Sequence, residues 1–346
     1  MSKSEDSVTE LRVGLVGAGQ SGVAYARACE KSESCRLTAV CDREPERAAG
    51  IPGTKPFRKI DQLLSSEEVD AVIVATSVSN RAEIALRALQ RGFSVLVEDP
   101  VSENAALAEE LASVVAKSRG KLVCGVSRPL RFAGRARKLK ELAEGSFGRP
   151  HRVQWTLSNR FCPEICFAQG DDRKGESPGS LILRLRNELD LLLWLCGEPD
   201  EVNTFQCLGK HHDAEVEDEV FVHFGWEDGT TGTLVASSGE IPGIDRLEMT
   251  SDRGLIVSEA EESIRWNRCE ISVEEFSRSV EDPTDRPLIW EIEIPVDSSE
   301  NGLFREAAVE DFTESVRLGG KPNSGPWDDV ALLRLMNRIA SSASNR

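Results

Sequence analysis

The chain has 346 residues, 40% hydrophobic and 29% charged, with 59 acidic against 42 basic side chains and a net charge of −17. That balance excludes a largely disordered chain, and the length predicts two domains, because single cores stop growing at about 250–300 residues. The acidity repels phosphate backbones, so no nucleic-acid partner is expected. No apolar run approaches the roughly 18 residues that a membrane span requires, so no membrane association is expected either.

The opening MSKSEDSVTE is polar and acidic and lacks the basic and apolar regions of a secretory leader. Nine cysteines at this low density read as reduced thiols of a cytoplasmic protein. Cys162 and Cys166 stand at helical spacing around Pro163 and read as free thiols, since zinc usually wants four converging ligands. No metal site is expected. His211 and His212 read as solvated loop side chains.

In chain order, residues 11–16 form a β-branched apolar run, followed by Gly17-Ala18-Gly19-Gln20-Ser21-Gly22 and a helical pattern through Cys29. Strands are predicted at 36–41, 69–75, 94–97 and 121–125, with helices at 81–91 and 105–117. This alternation implies parallel βαβ units with right-handed crossovers. After Arg128 the rhythm changes. A helix is predicted at 132–144, a strand at 151–158, a Gly-rich loop at 168–179 and a helix at 180–196. Strands follow at 202–208, 219–226, 230–237, 245–250, 254–258, 264–266 and 289–294, and helices at 304–318 and 327–341 close the chain. The expected architecture is an α/β Rossmann domain over 1–128, followed over 129–346 by an α+β domain with a large, mostly antiparallel open sheet.

The glycine motif follows a predicted strand and opens a predicted helix, and Asp42 lies twenty positions beyond Gly22 at the end of the next strand. Gly17 permits the tight turn, Gly19 lets a pyrophosphate approach, and Gly22 lets helix and strand pack closely. The helix N-terminus around Gln20 and Ser21 offers free N–H groups and partial positive charge to phosphates. Asp42 suits ribose hydroxyls and favours NAD, while Arg43 beside it suits adenine or a 2′-phosphate and keeps NADP open.

With these residues in place, the chain resembles the glucose–fructose oxidoreductase / inositol dehydrogenase / rhizopine-catabolism (Gfo/Idh/MocA) family. The resemblance runs through AVIVATSVSNRAEIALRALQRGFSVLVEDP (71–100), through 123–144, and through PGSLILRLRNELDLLLWLCGEPDEV (178–202). It implies an NAD(P)-dependent reaction at a hydroxyl or carbonyl carbon of a sugar, sugar acid or cyclitol. It further implies cofactor contacts at Ala75, Thr76 and Glu98, a cytoplasmic small-molecule enzyme, and a homo-oligomer (dimer or tetramer). The family's usual catalytic side chains do not match. Its Glu-Lys-Pro is Glu98-Asp99-Pro100 here, its usual acid falls on Leu183, its usual histidine on Asn187, and another common histidine on Arg81.

Losing a positioned acid–base group costs about 10²–10⁴ in rate. A carboxylate in place of the lysine reverses the sign of an interaction worth about 4 kcal/mol at 4 Å and an effective dielectric of 20. Asp99 can still serve as a general base if another group steadies the oxygen, and Asn187 can orient a hydroxyl. Arg81, Arg128, Arg184 and Arg186 are candidate substrate contacts, and their planar donor forks suit an anionic ligand such as a uronate. The competing reading of Arg184 and Arg186 is a pair of i,i+4 salt bridges to Glu188 and Asp190. Trp155 and Trp194 read as core residues rather than sugar platforms. Three functions stay open: an oxidoreductase with a rearranged site, an inactive dinucleotide-binding sensor or scaffold, and a redox-neutral enzyme that retains NAD.

Overall fold

The computed structural model describes residues 10–165, 180–259, 263–297 and 302–345. They form two compact units. The first runs through Phe132 and regains Gly302–Leu333; the second comprises the chain from Ala133 and the residues from Arg334 onward.

The first unit is built on a six-stranded sheet in the order β3-β2-β1-β4-β5-β6. Its strands are β1 (Leu11–Val16), β2 (Cys35–Cys41), β3 (Lys55–Phe57), β4 (Ala71–Val74), β5 (Ser94–Glu98) and β6 (Cys124–Ser127). All of its pairings are parallel. All four residues of β4 are buried, as a strand covered on both faces requires. Helices α1 (Gln20–Lys31), α2 (Pro45–Ala49), α3 (Ile60–Leu64), α4 (Val78–Gln90) and α5 (Ala105–Lys117) connect the strands. Asn104 caps α5 by accepting from the Ala106 N–H. The order reverses between β1 and β4, which makes the C-terminal end of β1 the topological switch point where such sheets bind ligands.

In the second unit α6 (Gly134–Glu144) is followed by β7 (Arg152–Leu157), α7 (Ser180–Arg184) and α8 (Arg186–Cys196). Then come β8 (Glu201–Leu208), β9 (Glu217–Gly225), β10 (Thr231–Ser237), β11 (Asp245–Ser251), β12 (Gly254–Glu259), β13 (Ser263–Cys269), α9 (Val273–Ser279) and β14 (Ile289–Pro295). Its nine-stranded sheet has the order β14-β13-β12-β11-β7-β10-β9-β8-β15, where β15 is Ala343–Asn345. Pairing is antiparallel except for β7 with β10 and β8 with β15. Alternate residues fill one face: Leu234, Trp155 and Leu247 lie in register across β10, β7 and β11, and all three are buried.

Helix α10 (Phe304–Leu318) ends at Gly319, which takes the left-handed conformation with φ +67°. Its residues Ala308, Val309 and Phe312 are buried in one core with Leu15, Tyr25 and Leu96. This packing returns 302–333 to the first unit, so the expected boundary of one continuous domain over 129–346 is corrected. Burying Val309 and Phe312 contributes roughly 1.5–3 kcal/mol each, and nothing local in the sequence marks which sheet they cover. Helix α11 (Pro326–Ser341) closes the chain's helical part.

The single helix expected over 180–196 is two helices, interrupted at Leu185. The third strand-helix pairs at 45–64 and helix α9 carry no strong periodicity and are additions to the sequence reading. The predicted loop 168–179 lies outside the described residues.

Candidate active site

Strand β1 delivers the chain to Gly17, whose φ is +97°. A Cβ there would stand 2.7 Å from the Ala75 carbonyl oxygen, and one at Gly22 would stand 1.9 Å from that of Gly17. Both positions therefore require glycine. A Cβ at Gly19 would meet nothing within 4 Å, which leaves a cradle at the helix start. Helix α1 has no side-chain cap and no acidic residue in its first turn, so its leading N–H groups and partial positive charge are available to an anion. Gln20 is exposed and Ser21 half-buried at this turn.

Asp42 ends β2 beside the loop. Its Oδ2 accepts from the Ala18 N–H at 2.7 Å and its Oδ1 from the Glu44 N–H at 2.9 Å. A cavity of about 510 Å³ is lined by Gly17, Gly19, Asp42, Arg43, Ala75 and Thr76, together with Arg58 and Lys59. Arg47, also on its wall, pairs with Glu44 at 2.8 Å. Burial, and then the Asp42 charge, push the Cys41 thiol on this wall up to about 11.

Glu98, 7% exposed at the end of β5, accepts at Oε1 from Arg305 Nη2 (2.6 Å) and Ser21 Oγ (3.1 Å). Its Oε2 is buried with no hydrogen-bond partner, so it keeps an acceptor for a ligand hydroxyl. The glycine cradle, the open helix start and this orphaned oxygen fit a dinucleotide. Burial, and then the charge of Glu98, push the nearby Tyr25 hydroxyl well above its usual range. Arg305 stacks over Phe304, 4.4 Å from the ring centroid. Sequence reading found Glu98 and missed Arg305, which no motif links across 207 positions.

The Asp99-Pro100 peptide is cis. Arg128 Nη1 lies 2.8 Å from Asp99 Oδ1, close enough for an ion pair though poorly aligned for a hydrogen bond. Its Nη2 donates to Asp329 Oδ1 at 2.5 Å. Arg128 is 1% exposed and Asp329 fully buried. The expectation that Arg128 contacts substrate is therefore corrected: the guanidinium is enclosed between two carboxylates. Arg81 is half-buried and bonded to the backbone. Its Nε donates to the Thr76 carbonyl at 2.8 Å and its Nη1 to the Pro100 carbonyl at 2.9 Å, so it ties together the segments that follow β4 and β5.

In the second unit, Leu183 is exposed and Asn187 half-buried. The expected Arg184–Glu188 bridge does not form. The interruption at Leu185 separates the two residues onto different helices, and Glu188 pairs with Arg160 instead. Arg184 Nη2 donates to the Arg160 carbonyl at 2.6 Å. Burial, and then the charge of Arg160, hold the Arg184 guanidinium below its ordinary range. Burial pushes the Glu188 carboxyl up, against the pull of Arg160. Arg186 Nη1 lies 4.0 Å from Met336 Sδ. Trp155 is a core residue whose Nε1 donates to Asp245 Oδ1 at 3.0 Å. Trp194 is half-buried under Lys140, whose Nζ is 5.5 Å from the ring centroid.

Two minor expectations are also corrected. His212 is buried, with Nε2 2.8 Å from the Cys162 carbonyl oxygen and Nδ1 3.2 Å from Asp218 Oδ2; only His211 is exposed. Cys162 is disulfide-bonded rather than free, and Cys166 lies outside the described residues. Among the described residues no three acidic, histidine or cysteine side chains converge as a metal site would require. No helix among them is long and apolar enough to cross a membrane.

Comparison with known proteins bears on this arrangement. A family model described as an oxidoreductase family with an NAD-binding Rossmann fold matches residues 11–126, and the C-terminal domain model of the same Gfo/Idh/MocA family matches 136–257. The chain is 25% identical over 264 residues to a myo-inositol 2-dehydrogenase of Thermotoga maritima, covering 72% of this chain and 75% of that protein. It is 36% identical over 124 residues to the dehydrogenase aclE of Aspergillus oryzae, a match that spans only 34% of this chain and 33% of that relative. In fold it is similar to the UDP-N-acetylglucosamine 3-dehydrogenase GnnA of Acidithiobacillus ferrooxidans, with a TM-score of 0.73 at 20% identity, covering 96% and 97% of the two chains. The chain thus belongs to the Gfo/Idh/MocA family of oxidoreductases, and its first unit is that family's nicotinamide-dinucleotide-binding Rossmann fold.

Proposed function

We propose that the protein is an NAD-dependent oxidoreductase acting at a hydroxyl or carbonyl carbon of a sugar, sugar acid or cyclitol. The observation that carries this reading is Asp42 on the wall of the dinucleotide cavity. Each of its oxygens accepts one backbone N–H and retains a lone pair for a ribose hydroxyl. A 2′-phosphate would meet that carboxylate with like charge, which favours NAD over NADP; Arg43, Arg58 and Lys59 are the cations that would offset it. Gly17, Gly19, Gln20, Ser21 and Gly22 would hold the diphosphate, Ala75 and Thr76 would line the cavity, and Glu98 would take a ribose hydroxyl.

A bound nicotinamide supplies the two-electron acceptor or donor. Asp99 is the proposed acceptor of the substrate hydroxyl's proton, and Asn187 the proposed hydrogen-bonding group for substrate. A second reading, binding without turnover, is favoured by one feature: Asp99 replaces the family's usual lysine and faces a buried arginine.

Thermal denaturation with NAD(H) and NADP(H) is the first test. A hundredfold excess over Kd should stabilise the native state by about 2.7 kcal/mol. No shift with either cofactor at millimolar concentration would reject both readings. With binding established, turnover across sugars, sugar acids and cyclitols separates them, and unchanged turnover in Asp99→Asn would remove Asp99 as base. Leu288, Ile289 and Trp290, at 54%, 57% and 54% exposed near the outer strand β14, support the expected homo-oligomer, which sedimentation would measure.

A further inference from the structure

We propose that Arg160, Arg184 and Glu188 form a recognition site for a polyhydroxy-carboxylate, with the carboxylate held by the guanidinium groups and a neighbouring hydroxyl held by Glu188. This rests on the reading of the protein as an oxidoreductase of sugar-like molecules and narrows its substrate to an acid.

Among the described residues, three buried polar atoms in this one cluster have no hydrogen-bond partner: Arg160 Nε, Arg184 Nη1 and Glu188 Oε2. Leaving a buried donor or acceptor unsatisfied costs about 1–3 kcal/mol, and more where the group is charged. Native proteins contain few such atoms, and several in one place call for a specific explanation. Here two of the orphans are cationic donors and one is a carboxylate acceptor. A ligand that satisfies all three must carry an anionic acceptor beside a neutral donor. A hydroxyl next to a carboxylate has that pattern.

The charge count agrees. Arg160 is paired with Glu188, and its carbonyl accepts from Arg184, which has no carboxylate partner among the described residues. Among the described residues the cluster is left with one uncompensated positive charge. Composition does not explain this, because acidic side chains outnumber basic ones by 59 to 42. Arg160 is 31% exposed at its side chain and Arg184 half-buried, so both side chains are partly accessible. A carboxylate matches the planar fork of a guanidinium, which can donate two parallel hydrogen bonds to it. A phosphate shares that chemistry, but a dianion meets stronger repulsion from Glu188.

Calorimetry on the full chain tests the site with three acid and neutral pairs: D-glucuronate with D-glucose, D-galacturonate with D-galactose, and D-gluconate with D-glucitol. Inorganic phosphate serves as the competing anion. At least one acid should bind tenfold or more tightly than its neutral partner. Arg184→Met and Arg160→Met should each erase that preference, and Arg184→Lys should retain part of it. Equal binding within every pair, or a preference that survives both Met variants, overturns the proposal. So does phosphate binding tighter than every acid, with Glu188→Gln strengthening it. Cofactor titration runs separately. Loss of NAD(H) and NADP(H) binding with acid binding retained rejects the oxidoreductase reading alone; the reverse result rejects this site alone.

Discussion

Arg128 and Arg184 carry the same guanidinium and are both candidate substrate contacts by sequence, yet their surroundings are opposite. Arg128 is sealed between Asp99 and Asp329, whereas Arg184 has a carbonyl for company and, among the described residues, no carboxylate. The first is an internal counter-ion, and the second is a charge without a counter-ion among the described residues. The contrast teaches that an arginine's role is decided by which acids the fold brings to it, and that the informative arginine is the one left over.

The largest expected effect would break the comparison at its first member. Arg128→Met strips the cation from buried Asp329 and half-buried Asp99 and should cost about 3–5 kcal/mol in urea denaturation, with Asp329→Asn added to it recovering part of the loss. A wild-type midpoint for Arg128→Met would mean that the enclosed pair holds nothing together. Next comes Gly22→Ala. Its methyl group would meet the Gly17 carbonyl at 1.9 Å, so a loss on the order of 2–3 kcal/mol should accompany loss of the thermal response to NAD. Asp42→Ala removes hydrogen bonds to a charged acceptor worth about 1.5–3 kcal/mol. It should weaken NAD tenfold or more in a fluorescence titration while weakening NADP less.

Arg184→Met sharpens the comparison by its smallness. Removing the guanidinium strands no described carboxylate and loses a hydrogen bond to a carbonyl, so the denaturation midpoint should stay within about 2 kcal/mol of wild type, and a loss as large as that of Arg128→Met would erase the distinction. Smallest of all is a matter of rate. Because burial and Asp42 raise the Cys41 thiol to about 11, it is protonated near neutrality. Its alkylation, followed by mass spectrometry, should rise about tenfold per pH unit towards that value. Fast labelling at pH 8 would show that the cavity wall opens to solvent.

What was legible in the sequence follows the range of the forces involved. The glycine spacing, Asp42 and the alternating strands are set by local backbone sterics and by the side-chain period, so the parallel sheet and its phosphate loop could be read directly. Helices α5 and α10 match their predicted bounds because capping and stop residues, Asn104 and Gly319, are local too. The rest depends on partners remote in the chain. Arg305 reaches Glu98 across 207 positions and Asp329 reaches Arg128 across 201. Arg160 captures Glu188, the acid that helical spacing would have given to Arg184. The interruption at Leu185 has no glycine or proline to announce it.

The return of residues 302–333 to the first unit has a consequence for biosynthesis. The ribosome releases the six parallel strands first, but the layer formed by Ala308, Val309 and Phe312, and the Arg305 partner of Glu98, emerge only after residues 133–301 have been made. The nascent nucleotide-binding half must wait with an uncovered apolar face, a state that invites chaperone capture. Completion of this half is therefore tied to prior synthesis of the intervening segment 133–301.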